Sequence, residues 1–248
     1  MVAGVLRLGF LYPGHAAEDD YPLLAAGVRP PVDAQVVHTS VGEDAHRVDA
    51  LMDLGSTARL RAGADELRRR GVAAATWACT SGSFVFGLDG ARRQVAEIEA
   101  ELGIPVTSTS LAFVSAAAAL GVTRLAVAAT YPEDVTRCLV EFLGDAGIEV
   151  VRLGSGGIIT AVEVGTLGRR DVLRMVAEHD HPGAEAIAVP DTALHTAAWL
   201  EELEAAAGKP VLTANQVTMW DVLRVARHPA VGDGLGELFR VGAASSRA

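Results

Sequence analysis

The sequence is poor in the residues that mark several protein classes. Its 248 residues hold only two cysteines, Cys79 and Cys138. They lie too far apart in the chain for a disulfide framework or a zinc-ligand pattern, which suits a reducing cytosol, so a cytoplasmic location is expected. Aromatic residues make up 5% of a chain that is 50% hydrophobic, so the core must come from Ala, Val and Leu. These are the residues of buried parallel strands covered by helices. Positive charge is scarce as well: 21 Lys and Arg stand against 31 Asp and Glu, a formal net charge of −10. Phosphate backbones require a basic face, so nucleic acid is excluded as a partner. No apolar run approaches the roughly 20 residues that span a bilayer, and no membrane partner is expected. The apolar start, 1–11, lacks a small-residue cleavage site and reads as a first strand. The tail from Gly242 is small and polar, and is expected to fray.

Apolar runs of strand length alternate with amphipathic segments along the chain. Strands are expected at 6–12, 34–38, 73–78, 106–108, 125–129, 149–153, 186–189 and 211–213. Helices are expected at 45–70, 91–102, 133–146, 170–178, 196–207 and 217–227. Such alternation implies βαβ units and parallel sheets.

The pattern also repeats. Arg7-Leu8-Gly9-Phe10-Leu11-Tyr12-Pro13 reads like the stretch from Arg124 to Tyr131-Pro132, a strand ending in Tyr-Pro. Thr76-Trp77-Ala78-Cys79-Thr80 reads like Ala188-Val189-Pro190-Asp191-Thr192, and Gly103-Ile104-Pro105-Val106 reads like Gly208-Lys209-Pro210-Val211. Three landmarks in one order imply a duplicated four-stranded unit. The fold class is therefore α/β, with two pseudo-symmetric parallel-sheet domains facing a central cleft. The first half is assigned 1–115 together with 225–248, and the second 116–224. Ligands of open α/β sheets bind at the carboxyl ends of the strands, which puts Cys79 and Asp191 on opposite walls of one cleft.

Cys79 closes a strand and is followed by Thr80-Ser81-Gly82-Ser83. Backbone N–H groups in such a turn form an anion-binding nest, the hydroxyls add donors, and the same donors favour thiolate over thiol. The alternative is a buried cysteine packed as a small hydrophobe, the reading given to Cys138. Asp191 is either a reacting carboxylate or a helix cap. Tyr131 precedes Pro132-Glu133-Asp134 and offers a phenol to a carboxylate or enolate. The Gly-rich stretch from Gly154 to Gly157 lacks a nucleotide-loop signature and reads as a carboxylate-binding loop. His179-Asp180-His181 lies in a polar turn and reads as solvated, so no metal is assigned. No Arg or Lys falls in these motifs, so an anionic substrate would be held by hydroxyls and backbone N–H groups.

Cys79-Thr80-Ser81, Tyr131, Gly156-Gly157-Ile158 and the segment from Thr213 through Asn215-Gln216 to Trp220 together resemble the maleate cis–trans isomerase and arylmalonate decarboxylase branch of the aspartate/glutamate racemase superfamily. The resemblance implies catalysis without metal, pyridoxal phosphate or nicotinamide, on a small carboxylate substrate, by a homodimer or larger homo-oligomer. In the isomerases, the cysteine matching Cys79 adds to a double bond while a second cysteine acts from the other face. In the decarboxylases, only that second cysteine is kept, and it protonates an enediolate in a hydroxyl-lined oxyanion pocket. By this resemblance Thr80, Ser81 and Tyr131 line the pocket, with Thr192, Gly157 and Pro13 completing the binding set. The sequence departs from the branch at Asp191, where the second cysteine is expected, and in Pro13-Gly14-His15-Ala16-Ala17, which lacks the isomerases' Asn. The first expectation is an isomerase of the maleate type, with Cys79 as nucleophile and Asp191, neutral, as acid/base. The alternatives are a decarboxylase or racemase working through an enediolate with Cys79 delivering the proton, and a non-catalytic ligand-binding relative.

Overall fold

Strands buried on both faces need helices above and below them. The computed structural model, which describes residues 5–240, meets that need twice. The first half runs β1 (Leu6–Pro13), α1 (Asp20–Gly27), β2 (Val28–Arg29), β3 (Val32–Thr39), α2 (Val48–Leu54), α3 (Thr57–Arg70), β4 (Ala74–Trp77), α4 (Ser81–Phe84), α5 (Gly87–Leu102), β5 (Val106–Ser108) and α6 (Thr109–Leu120). The second runs β6 (Arg124–Ala129), α7 (Glu133–Asp145), β7 (Glu149–Ser155), α8 (Ala161–Val164), α9 (Arg169–His179), β8 (Ala186–Val189), α10 (Leu200–Ala207), β9 (Val211–Thr213) and α11 (Ala214–Val225), before β10 (Val231–Gly232) pairs antiparallel with β2. The tail from Gly242 lies outside the described residues.

Each half carries one four-stranded sheet, ordered β3-β1-β4-β5 and β7-β6-β8-β9, with every pairing parallel. The two orders are identical once β1 is matched to β6, so the duplicated unit read from the sequence is present in space. All four residues of β4 and of β8 are buried, which places these strands inside their sheets. The matched glycines Gly103 and Gly208 end α5 and α10 in left-handed conformation, φ 68° and 63°, which a side chain would resist.

The helix expected over 45–70 is two helices, because Gly55 and Ser56 break it between α2 and α3. Four helices, α1, α4, α6 and α8, lie outside the segments expected to be helical. The α6 segment Thr-Ser-Leu-Ala-Phe-Val-Ser-Ala-Ala-Ala-Ala-Leu has little polar face to reveal a period, and it packs against α11. In α1, Pro22 falls in the first turn, where its missing N–H is harmless. The last helix is tied to β5 by Thr107 Oγ1, which donates to the buried Asp221 at 2.5 Å, and to the start of α6 by a 2.6 Å contact between Thr109 and Thr218 hydroxyls. No helix among the described residues is long and apolar enough to cross a membrane.

Candidate active site

The carboxyl ends of β1, β4 and β8 converge on a cleft of about 210 Å³. Its lining includes Tyr12 and Pro13 from β1, Cys79 and Ser81 after β4, and Asp191 and Thr192 after β8. The cleft therefore brings together five of the eight residues singled out from the sequence. Val41, Leu51, Leu54 and Val162 make much of the remaining surface apolar. Glu43, Asp44 and Asp191 line it too, whereas no lysine or arginine does.

Cys79 is 3% exposed and sits just before α4. The Gly82 N–H donates to its Sγ at 3.3 Å, and the Ser81 hydroxyl lies 3.9 Å away. Gly82 permits the approach, since a Cβ there would stand 3.2 Å from Sγ and 3.2 Å from the Trp77 ring. The sequence suggested that these donors favour thiolate. Instead the thiol is pushed up to about 12, because burial outweighs the Gly82 and Ser81 donors and the nearby Asp191 charge adds to burial. The nest is present, but its effect is the smaller one.

Asp191 is also buried, and both its oxygens are engaged as acceptors. The Thr130 hydroxyl donates to Oδ2 and the Ala193 N–H donates to Oδ1 at 2.9 Å. Asp191 thus closes a tight turn onto Ala193 and draws in the end of β6. No helix begins at that point: the next one is a single turn at Ala197–Trp199.

The Tyr131 phenol was expected to face substrate, but it donates to the Pro190 carbonyl at 2.7 Å and does not line the cleft. Burial first, and then the charges of Asp191 and Cys79, hold it well above the usual phenol range, while the Thr80 and Ser81 hydroxyls beside it pull the other way. Its counterpart Tyr12 donates to the Thr192 carbonyl at 2.9 Å and accepts from the Ala17 N–H at 3.0 Å. The two repeat-related tyrosines therefore grip the backbone on either side of Asp191. Thr80 lies behind Cys79, and its buried hydroxyl has no hydrogen-bond partner of normal geometry.

Gly157 is a correction. The loop from Gly156 to Ile158 does not bind a carboxylate, because its N–H groups are spent on the carbonyls of Ala129, Tyr131 and Thr130 at 2.9–3.1 Å. The loop instead continues the hydrogen-bonding of β6, and Gly157 is exposed and outside the cleft. The Asn215-Gln216 pair is structural too. Asn215 donates to the buried Asp20 and accepts from Tyr21, while Gln216 bonds the backbone of Thr213 and Leu235.

The contacts that close the cleft over its floor had no sequence signal. Asp44 accepts from the N–H groups of Ala161 and Val162 at 2.9 and 3.3 Å, capping α8 from the other half. His46 donates its backbone N–H to Ile159 O at 2.6 Å, and its ring stands edge-on to Tyr131 at 5.0 Å. Nothing in the local pattern of Glu43-Asp44-Ala45-His46 announces a partner more than a hundred residues away. Replacing Asp44→Ala is expected to destabilise the protein by about 1 kcal/mol, as removal of a helix cap does, with Asp44→Asn retaining part of it. Urea unfolding of the two variants measures this, and equal midpoints for wild type and Asp44→Ala would contradict it.

Comparison with known proteins agrees with this fold. A family model for arylmalonate decarboxylase matches residues 51–239. Arylmalonate decarboxylase of Bordetella bronchiseptica is 30% identical over 182 residues, covering 71% of this chain and 75% of that one. Among solved structures, a liganded arylmalonate decarboxylase variant, with one glycine changed to cysteine and one cysteine to serine, superposes with TM-score 0.82 at 23% identity. It covers 95% of this chain and 99% of its own. The Nocardia farcinica maleate cis–trans isomerase, as a cysteine-to-serine variant with a covalently bound succinylcysteine intermediate, gives TM-score 0.86 at 20% identity, covering 96% and 99%. These two structural likenesses are likenesses of fold.

Proposed function

The chain belongs to the arylmalonate decarboxylase family, and from that premise we propose that it decarboxylates a malonate bearing an apolar α-substituent, with the Cys79 thiol as proton donor. The observation that carries this reading is the burial of Cys79, 3% exposed at a largely apolar cleft lined by no lysine or arginine, which pushes its thiol up to about 12. A thiol that holds its proton is a poor nucleophile; the raised pKa makes it a weaker acid than an ordinary thiol, but it keeps the proton-donating form populated, and the carbon of an enediolate is basic enough to take that proton. This reading takes the second of the expectations drawn from the sequence in place of the first, in which a thiolate adds to a double bond.

In the proposed reaction the bond between the α-carbon and one carboxyl group breaks. Its electron pair passes into an enediolate, and carbon dioxide leaves. A remaining carboxylate oxygen is held by the Ser81 hydroxyl, while the apolar substituent lies against Leu51, Leu54 and Val162. The Sγ–H proton then moves to the α-carbon, and Cys79 regains a proton from solvent. Asp191, facing the thiol with both oxygens accepting, supplies no proton to this step. Tyr12 and Tyr131 act as positioning residues by fixing the carbonyls next to it.

One observation favours a second reading. Asp191, an acceptor at both oxygens, and the Cys79 thiol line the same cleft from the ends of β8 and β4, a base and an acid for carrying a proton from one face of a carbon to the other. Asp191 would then take the α-proton of a monocarboxylate and Cys79 would return one, which is racemisation. Incubation with α-aryl malonates, α-aryl propionates and maleate in heavy water, followed by proton NMR, separates the readings. Decarboxylation predicts loss of carbon dioxide with one deuteron at the α-carbon, and racemisation predicts exchange without loss of carbon. Conversion of maleate to fumarate with an adduct on Cys79 would overturn both.

The ionisation of Cys79 has a direct chemical consequence. Iodoacetamide near neutral pH should alkylate the partly exposed Cys138 at least ~10-fold faster than Cys79. Peptide mass mapping over time reads the order, and preferential labelling of Cys79 would argue for the nucleophile.

A further inference from the structure

Three side chains at the cleft rim converge without a part in this chemistry. His15 follows β1 in the stretch Pro13-Gly14-His15 and lines the cleft mouth, Glu18 lies one turn further on, and His38 is near the end of the adjacent strand β3. His15 Nδ1 lies 3.0 Å and His38 Nε2 3.2 Å from the same oxygen, Glu18 Oε1. All three ligand atoms lie within 4.8 Å of one another. The two imidazole rings stand 4.0 Å apart between centroids.

We propose that His15, Glu18 and His38 form a binding site for a first-row transition cation, Zn²⁺ foremost, at the rim of the cleft. Imidazole nitrogens and a carboxylate are the donor set that zinc takes with an open fourth position. Zinc–nitrogen bonds of about 2.0–2.1 Å in a tetrahedron separate the donor atoms by about 3.3–3.5 Å. The two shorter separations here already approach that spacing, and small side-chain rotations complete it. Glu18 is oriented by a second contact, since the Ala16 N–H donates to its Oε2 at 2.8 Å and leaves Oε1 toward the imidazoles. Among the described residues no lysine or arginine pairs with Glu18. The cation would tie the loop after β1 to the end of β3, fixing one side of the cleft mouth.

The site is separate from Cys79 and Asp191, so it is tested without turnover. The full chain is dialysed against Zn²⁺, desalted, and its metal content measured, alongside Glu18→Gln and His38→Ala. Thermal unfolding is followed with and without the ion, and the visible spectrum is taken with Co²⁺ in place of Zn²⁺. The expected result is one equivalent of zinc on the wild type, at least a tenfold weaker affinity in either variant, and a rise in Tm with zinc only in the wild type. The cobalt form should show absorption of tetrahedral strength. A folded wild type that retains no zinc, or equal retention by wild type and both folded variants, would overturn the proposal. Weak octahedral cobalt absorption would overturn it as well.

Discussion

Replacing Cys79→Ser is expected to lower the turnover of an α-aryl malonate by about 10²–10⁴-fold, the usual contribution of a positioned acid. Serine is close to isosteric and keeps the Gly82 N–H partnered, so the fold and the apolar cleft survive. The loss should appear in kcat with KM little changed, because the thiol acts on the carbanion and not on the bound substrate. Steady-state kinetics on the folded variant read this split, and a rise in KM at constant kcat would place Cys79 in binding. The pH profile carries the same information. An unburied thiol ionises near pH ~8.5, whereas Cys79 holds its proton to about 12, so activity should not fall through the ordinary thiol range. The stability linkage has a definite sign. The folded thiol binds its proton more tightly than the unfolded one, so its contribution is fully present below about pH 8.5 and is lost as pH rises toward about 12. Wild type should therefore lose stability relative to Cys79→Ser across that alkaline window.

Moving the thiol to the other wall is expected to invert the product. In the double variant Cys79→Ala with Asp191→Cys, the proton donor stands after β8 instead of after β4. A planar enediolate held by Ser81 would then be protonated on its opposite face. The expected outcome is a product of opposite configuration, measured by chiral chromatography, at a rate that recovers part of what Cys79→Ala alone has lost. The same configuration from both proteins would mean that the two residues do not flank the reacting carbon. Removing the Asp191 charge carries a second effect. That carboxylate helps raise Cys79, Tyr12 and Tyr131, so Asp191→Asn should lower the thiol's ionisation range and bring faster alkylation of Cys79.

Much of this arrangement was legible in the sequence because it depends on strand ends and repetition. The eight sheet strands follow from apolar runs bounded by turn residues, and 106–108, 186–189 and 211–213 agree to the residue. The repeat placed Cys79 and Asp191 at equivalent strand ends, and equivalent strand ends face one cleft. What stayed hidden depends on contacts made only after folding. The ionisation of Cys79 is a competition between local donors, which a motif displays, and burial, which it does not. Tyr131 reads as a free phenol until Pro190 is seen beside it, and the Gly156–Ile158 donors read as free until they are seen paired to β6. Asp44 and His46 close the cleft through partners near residue 160, and the trio of His15, Glu18 and His38 is assembled across two strands.

The most direct test of the account is the ionisation of Cys79 itself. The ultraviolet absorbance of thiolate is titrated in folded wild type and in Cys79→Ser, and the difference isolates this one group. The account predicts no difference signal through and beyond the ordinary thiol range near pH ~8.5, with ionisation appearing only as pH approaches about 12. A difference signal that titrates at or below pH ~8.5 would contradict it and return Cys79 to the role of a thiolate nucleophile.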